Sequence, residues 1–335
     1  MLNNVFIKAR KCAIIKLRIN INMSDHPIKL FAGSSHPALA AEVAQCLGIA
    51  LEDLVITRFA CNEIYAKPKE SVRGSDVFVL QTASHNVNED LMELFVILDS
   101  LKRSFAGKIH VVMPHYAYAR QDRVATPREP ISAKLVADLI STAGADHLIT
   151  MKLHSDQEQG FFNFPVDNLN PDKLFAKYFL EKDIKDFVVV SPDAGGAKDA
   201  KKFADLLGAT LAIIHKTRPN HNESEVMHVV GDVEGKTCLI YDDMIDTGGS
   251  VVNAMNALKK MGANKDMYLA ATHAVFSDPV AERLSSAGFK EVVVTNSIPI
   301  SEARKFDGLK IISIAPFLAK IIQNVHDDRS VTGAF

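Results

Sequence analysis

The sequence lacks the features of several common protein classes. Only four of its 335 residues are cysteines, and none of them form a C-x-x-C pair, so a disulfide framework or a zinc cluster is excluded and a reducing, cytoplasmic compartment is expected. No apolar run approaches the ~20 residues that a membrane span needs. The net charge of −2 gives no basic field for nucleic acid. What remains is a chain long enough for two globular domains of ~100–200 residues each. The four cysteines are Cys12, Cys46, Cys61 and Cys238.

The first 23 residues lack acidic side chains altogether. They contain basic residues among apolar ones, but no long apolar core followed by a small-residue cleavage site. A targeting peptide is one interpretation. The favoured one is a dispensable extension, or an upstream start with the working start at Met23, and residues 1–23 are therefore left out of the fold prediction.

Strand-like runs alternate with helical stretches along the rest of the chain. This rhythm is typical of βαβ units, and it predicts an α/β fold with mainly parallel sheets flanked by helices. The strand-like runs are VFVLQ, KIHVVMP, HLITMKL, FVVVSP, TLAIIH, TCLIYDD, MYLAATH and EVVVTNS.

The rhythm occurs twice. Three segments of the first half resemble three of the second in the same order, displaced by about 145–160 residues, which predicts a tandem duplication. The boundary falls near the Asn-Leu-Asn-Pro-Asp stretch from Asn168 to Asp172, where the pattern breaks. We therefore expect a first half over residues 24–168 and a second half over residues 169–335. The paired segments are IKLFAGSSHPALAAEVAQCLGIAL with FVVVSPDAGGAKDAKKFADLLGATL, VFVLQTASHNVNEDLMELFVILDSLKR with TCLIYDDMIDTGGSVVNAMNALKK, and VADLISTAGADHLIT with VAERLSSAGFKEVVVT.

One stretch of the second half, LIYDDMIDTGGSVVNAMNALKK, joins acids to a glycine-containing loop before a helix. Glycine lets backbone N–H groups approach an anion, and the start of a helix adds partial positive charge, so the loop suits a monophosphate. It is neither a P-loop nor a G-x-G-x-x-G motif. The acids would repel a phosphate, but they suit sugar hydroxyls, with or without a divalent cation. The alternative is a helix N-cap with chance glycines. The predicted ribose-phosphate residues are the acidic pair, Asp242 and Asp243, and the phosphate loop, Asp246, Thr247, Gly248, Gly249 and Ser250.

This stretch resembles the ribose 5-phosphate motif of the type I phosphoribosyltransferase fold, and further motifs resemble the ribose-phosphate pyrophosphokinase family. The likeness runs from about Lys29 to Phe335. It implies two tandem duplicated phosphoribosyltransferase-like domains, the first on the ATP side and the second on the ribose 5-phosphate side. The corresponding first-half positions, Gln81 and Thr82, lack the acids. The further motifs are FAGSSHPALA, ESVRGSDVFVLQ, NEDLMEL, YAYARQDR, REPISAKLVADL, SPDAGG, VVGDVEGK and SVTGAF.

ATP is the second substrate that the resemblance implies. Three arginines within nine residues of YARQDRVATPREP suit a triphosphate, although a solvated charged loop would look the same. The resemblance makes Arg120 and Gln121 ATP contacts, and it assigns adenine stacking to Phe59 and hydrogen bonding to Glu63. The usual Ser-Asp-Gly-Glu of the latter loop reads Ala-Cys-Asn-Glu here, which puts base selectivity in question.

Catalytic and metal positions are also implied by the resemblance. Lys216 and Arg218, which alone would read as a surface pair at the end of a strand, fall on the catalytic lysine and arginine of the family. His154 and Asp193 match its Mg²⁺-associated histidine and aspartate, although a lone histidine is usually a hydrogen-bonded core residue. The usual Asp-Leu-His reads Lys-Leu-His here, so Lys152 places a cation where an acid is usual.

The predicted reaction gives phosphoribosyl pyrophosphate and AMP from ribose 5-phosphate and ATP. The resemblance further implies a homohexamer whose ATP sites are completed by a neighbouring subunit, with phosphate as activator and ADP as inhibitor. A phosphoribosyltransferase and a non-catalytic regulatory homologue remain the alternative interpretations. Positions that match the regulatory regions of the family are Ser71, Arg73, Arg103, Ser104, Ser330, Thr332 and Phe335.

Overall fold

The computed structural model describes residues 27–182, 184, 186–217 and 226–332, without the side chains of residues 216, 217, 226 and 227. Within these ranges, no helix has the length and apolar character needed to cross a membrane. In the first half the elements are β1 (Lys29–Ala32), α1 (Pro37–Leu47), β2 (Leu54–Arg58), β3 (Ile64–Pro68), β4 (Asp76–Leu80), α2 (Val87–Arg103), β5 (Lys108–Met113), α3 (Ser132–Ala143), β6 (His147–Met151) and β7 (Val166–Leu169). In the second half they are α4 (Asp172–Leu180), β8 (Phe187–Ser191), α5 (Ala197–Leu207), β9 (Thr210–Thr217), β10 (Val226–Val230), β11 (Thr237–Ile245), α6 (Gly249–Lys260), β12 (Tyr268–Ala274), α7 (Val280–Ala287), β13 (Glu291–Thr295), β14 (Leu309–Ile312) and α8 (Ala315–His326).

Two sheets confirm the predicted α/β class. The first has the order β1-β4-β5-β6-β7 and is entirely parallel, and the second has the order β10-β9-β8-β11-β12-β13-β14 with only β10 antiparallel. All eight predicted strand-like runs form strands. They form strands because their apolar residues are buried by helices on both faces, as parallel sheets require.

The duplication is visible in the strand order. The first sheet, β1-β4-β5-β6-β7, matches the β8-β11-β12-β13-β14 portion of the second strand for strand. The helix ends match too, since α1 and α5 both close at a glycine in the left-handed region, Gly48 at φ +70° and Gly208 at φ +63°. The hairpin after the first helix differs, because β2 and β3 form a separate two-stranded sheet whereas β9 and β10 extend the main sheet.

The halves are joined by buried contacts. Thr82 donates a hydrogen bond to the carbonyl oxygen of Ser297 at 2.8 Å, and His273 donates from Nε2 to the carbonyl oxygen of Met151 at 3.0 Å. Burial lowers the pKa of His273 to about 3, so this histidine is neutral. The last helix, α8, packs on α1 and buries Leu318 and Ile322 in the core beneath the first sheet. The second half therefore covers part of the first, and these contacts join the two sides of the cleft between them.

Candidate active site

A cavity of about 470 Å³ lies between the two halves, at the carboxyl ends of their strands. Parallel strands deliver their following loops to one edge, which is where open α/β sheets bind ligands. Loops after β5, β6 and β8 and the end of β11 form its wall. The lining residues are Arg120, Asp122, Arg123, Lys152, Leu153, His154, Ser155, Asp193, Gly195, Gly196, Asp199, Tyr241, Asp242 and Asp243. The cavity thus brings together predicted residues from both halves.

The pKa values of the two carboxyl groups in the acidic pair are shifted in opposite directions. Burial, and then the adjacent charge of Asp243, raises the pKa of Asp242 well above its usual value. Burial alone would raise the pKa of Asp243 as well, but the hydrogen bond and electrostatic attraction of His154, together with a hydrogen bond with Asp242, outweigh burial and lower the pKa. Two adjacent carboxyl groups cannot both ionise at little cost, and the opposite shifts favour the negative charge on Asp243 over Asp242.

His154 is bonded directly to the acidic pair. Its Nδ1 lies 2.7 Å from Oδ2 of Asp243, and this hydrogen bond raises the pKa of the histidine. The raised pKa favours the protonated imidazole, which repels cations, so a metal ion here would compete with the hydrogen bond between His154 and Asp243. Asp193 accepts a hydrogen bond from the backbone N–H of Gly196 at 3.0 Å, which turns its loop around the cavity.

The phosphate loop comes directly after β11, and its residues do not line the cavity. Gly248 stands at φ +75°, a conformation open to glycine, and Gly249 begins α6. A Cβ at Gly248 would come within 3.2 Å of the buried Leu284, so the backbone here lies close against α7. The structure thus shows the strand, glycine turn and helix start that the sequence predicts for an anion site.

Arg120 connects the phosphate loop to the cavity. Its Nη2 lies 2.8 Å from Oδ2 of Asp246, so a predicted ATP residue of the first half contacts a predicted ribose 5-phosphate residue of the second. Gln121 lies on the other side of Arg120, in a neighbouring cavity of about 300 Å³, and accepts a hydrogen bond from the Ser132 hydroxyl at 2.7 Å.

Phe59 and Glu63 are not brought into either of these cavities. They lie at the tip of the β2–β3 hairpin, where the Phe59 side chain is 56% exposed and contacts Tyr65 edge to face. Their predicted contact with adenine therefore stays a prediction. For the catalytic pair, Lys216 lies near the end of β9 but its side chain is outside the described part of the chain, as is all of Arg218.

Lys152 is neutralised by partners that sequence reasoning missed. Its Nζ lies 2.9 Å from Oδ2 of Asp199 and 3.9 Å from Oδ1 of Asp172, and Tyr241 also bonds to Asp172. A buried cation needs such partners. The departure from the usual acid is therefore compensated within the protein. Asp199 could have been suspected from its place in the first turn of α5, directly after the SPDAGG motif.

The predicted regulatory positions fall into two groups. Arg73 packs its guanidinium 4.3 Å from the ring centre of Phe105, next to Ser104, and Arg103 pairs with Asp99 on α2. Ser330 and Thr332 bond to each other near the end of the described chain. Phe335 lies outside the described residues, and the regulatory role stays a prediction.

Comparisons with known proteins agree with this geometry. The family described as the N-terminal domain of ribose phosphate pyrophosphokinase matches residues 28–144, and the phosphoribosyl synthetase-associated domain matches residues 218–335. Ribose-phosphate pyrophosphokinases of Clostridium perfringens and Bacillus subtilis are 49% and 46% identical over 92% and 93% of this chain, and over 97% and 98% of their own lengths. The crystal structure of phosphoribosylpyrophosphate synthetase from Mycobacterium smegmatis matches with a TM-score of 0.85 and 49% identity, covering 90% of this chain and 99% of its own. The chain belongs to the ribose-phosphate pyrophosphokinase family of enzymes.

Proposed function

We propose that the enzyme transfers the β,γ-diphosphoryl group of ATP to the anomeric hydroxyl of ribose 5-phosphate within the cavity between the halves. The hydroxyl oxygen forms a bond to the β-phosphorus, and the bond from that phosphorus to the α,β-bridging oxygen breaks. AMP departs with the bridging oxygen, and the hydroxyl proton passes to solvent. The observation that supports the proposal is the 2.8 Å contact of Arg120 with Asp246, because it joins a residue predicted to bind ATP to one predicted to bind ribose 5-phosphate.

Ribose 5-phosphate would bind along β11. The 5-phosphate would accept hydrogen bonds from the backbone N–H groups and hydroxyls of the phosphate loop, and the acidic pair would face the ribose hydroxyls. The raised pKa of Asp242 favours its hydrogen-bond-donating form and the lowered pKa of Asp243 favours its accepting carboxylate, so the pair suits vicinal hydroxyls. This division of roles explains why acids stand so close to an anion loop.

Positioning and electrostatics would provide most of the catalysis. Arg120 would leave Asp246 to bind the ATP phosphates, and Lys216 and Arg218 would stabilise the charge that develops on the β-phosphoryl group. No covalent intermediate is needed, since both substrates can meet in the one cavity.

The cavity offers some, but not all, of the ligands that a Mg²⁺ ion needs. Asp193, Asp242 and Asp243 offer the oxygen ligands that Mg²⁺ prefers, but among the described residues no group of three or more His, Cys, Asp or Glu side chains is placed to hold a metal alone. ATP phosphates and water would have to supply the remaining ligands, with His154 and Asp193 nearby. When bound, the ion would neutralise phosphate charge, which is its usual contribution to phosphoryl transfer.

We also propose that the protein acts in the cytoplasm as a homohexamer with phosphate and ADP as effectors. The exposed position of Phe59 at the hairpin tip supports an ATP site completed by a neighbouring subunit. Exposed Leu135 and Leu139, one turn apart on α3, add apolar surface of the kind that oligomers cover.

The test is formation of AMP from ATP, Mg²⁺ and ribose 5-phosphate by the purified protein, with and without added phosphate. Lys216→Ala should reduce kcat by at least about a hundredfold, the range for loss of one electrostatic catalytic group. Lys290→Ala, which removes an exposed lysine paired with Asp266, is the matched control and should leave kcat unchanged. A wild-type protein that makes no AMP under either condition would contradict the proposal and favour a regulatory homologue.

A further inference from the structure

Helix α7 supports the phosphate loop from behind. Its buried residues Val280 and Leu284 lie against Gly248, where a Cβ would stand 3.5 Å and 3.2 Å from them. On the same turn, Arg283 donates from Nη1 to the carbonyl oxygen of Thr247 at 2.6 Å. The helix therefore contributes both an apolar support and a guanidinium to the loop.

The charge of Arg283 is not cancelled by a neighbour. Within the part of the chain that the structure describes, Arg283 is in no ion pair, and its hydrogen-bond partner is a neutral carbonyl. A guanidinium has five N–H donors, of which this contact uses one. Its Nη1 is also 3.5 Å from the point where a Cβ would stand on Gly249, the first residue of α6. Positive charge and spare donors thus lie beside the turn that exposes the backbone N–H groups.

The duplication supplies an independent observation. Aligning Ala143-Gly144 with Ala287-Gly288 places Val136 opposite Val280 and Ile140 opposite Leu284, and all four of these apolar side chains are buried. The position opposite Arg283 is Leu139, on α3, which is exposed. The two copies share the apolar side of the helix, but the arginine stands only in the copy that has the phosphate loop.

The charges around the loop show why a cation is needed there. A sugar phosphate carries up to two negative charges at neutral pH, and it would meet Asp243 and Asp246. Two arginines bond to the loop: Arg120, which pairs with Asp246, and Arg283. If Arg120 turns to ATP during catalysis, Arg283 remains to balance the 5-phosphate.

We propose that Arg283 is a positioning residue for ribose 5-phosphate, which holds the phosphate loop through Thr247 and directs positive charge at the 5-phosphate. This rests on the proposed function, in which that loop takes the 5-phosphate. The assignment makes Arg283 a residue of substrate selectivity, since a ribose without a phosphate gains nothing from it.

The experiment compares Arg283→Leu, the residue of the sister half, with Arg283→Lys in the full-length protein. With AMP release as the assay, Arg283→Leu should raise KM for ribose 5-phosphate at least about tenfold, the loss of one charge-assisted hydrogen bond. Arg283→Lys should show a smaller rise in KM for ribose 5-phosphate, because lysine keeps the positive charge. In both variants KM for ATP should stay within about twofold of the wild-type value. Lys259→Met is the matched control, because Lys259 donates to the carbonyl oxygen of Ala287 on α7 without contacting the loop.

Calorimetric titration with ribose 5-phosphate alone gives a second measurement that does not depend on turnover. Arg283→Leu should weaken this binding by the same factor as KM, while Lys259→Met should bind like the wild type. Unchanged ribose 5-phosphate affinity in Arg283→Leu, or an equal rise in both KM values with a lower melting temperature, would overturn the assignment. If the wild type binds ribose 5-phosphate and yields no AMP, the proposed reaction fails while the titration still decides the role of Arg283.

Discussion

The two halves share a strand order, but they differ at the carboxyl ends of two matching strands, β1 and β4 in the first half and β8 and β11 in the second. The space there is filled in the first half and open in the second. In the first half, Gln81 extends over Gly33, where a Cβ would stand 2.2 Å from Oε1 of the glutamine. In the second half, the corresponding positions, Asp193 in the loop after β8 and Asp242 near the end of β11, border the cavity. The duplicated fold thus leaves this site open in the second half and packs it shut in the first.

The closed site is held by a carboxylate of the protein itself. Glu93, on α2, is 4% exposed and accepts hydrogen bonds from the backbone N–H and the hydroxyl of Ser34 at 2.6 Å and 2.7 Å, and from Gln81 at 2.9 Å. Asp90 likewise accepts from the backbone N–H of Ser84 at 2.7 Å. Loop N–H groups that could face an anion are therefore satisfied internally, which makes this end of the first half structural.

The largest effect is expected at the turn of the open site. Gly248 and Gly48 both have φ near +70°, but a Cβ would meet Leu284 at Gly248 and nothing within 4 Å at Gly48. Both Gly→Ala changes should cost about 1–2 kcal/mol of backbone strain. Only Gly248→Ala should also shift the loop, and we expect kcat/KM for ribose 5-phosphate to fall about a hundredfold, as for a displacement of the order of 1 Å.

The measurement is steady-state AMP release, with Gly48→Ala as the matched control. Equal losses of activity in the two variants would mean that backbone strain alone explains them. The difference between the two sites would then not lie in the contact with α7.

A smaller effect is expected at the closed site. Glu93→Ala leaves the Ser34 N–H, the Ser34 hydroxyl and the Gln81 amide without their buried acceptor, so the free energy of unfolding should fall by about 2 kcal/mol. KM for ribose 5-phosphate should not change. Urea unfolding measures the free energy of unfolding, and AMP release measures KM. The control is Glu89→Ala on the exposed side of α2, which should change the free energy of unfolding by no more than about 0.5 kcal/mol. A higher KM with intact stability would show that the first half still takes part in sugar binding.

Much of this comparison could be predicted from the sequence, and the rest depends on tertiary contacts. The sequence patterns predict the mainly parallel sheets, the tandem duplication, the phosphate loop and the absence of acids at Gln81 and Thr82. They do not predict that Glu93, which lies on α2 twelve residues after Gln81, holds the closed site together, because the helix must fold back over the loop first. The compensation of Lys152 by Asp199 also joins distant segments. Such pairs follow from the packing of elements rather than from local propensity.

The smallest effect is expected at the contact between the halves, Arg120 with Asp246. Both side chains are partly exposed, so a double-mutant cycle of Arg120→Ala and Asp246→Asn should give a coupling below about 1 kcal/mol in unfolding free energy. Burial opposes ionisation of Asp246, but hydrogen bonds with Ser277 and Arg120 outweigh it and lower its pKa. The native state thus binds the proton more weakly than the unfolded state, so the coupling should be complete at pH 6 and decline below about pH 4. A weak pair of this kind can open when substrates arrive. Exposed ion pairs rarely reach about 2 kcal/mol, so a coupling above that value would instead make the pair of Arg120 and Asp246 a structural link between the halves. Arg120 would then not be free to turn to ATP.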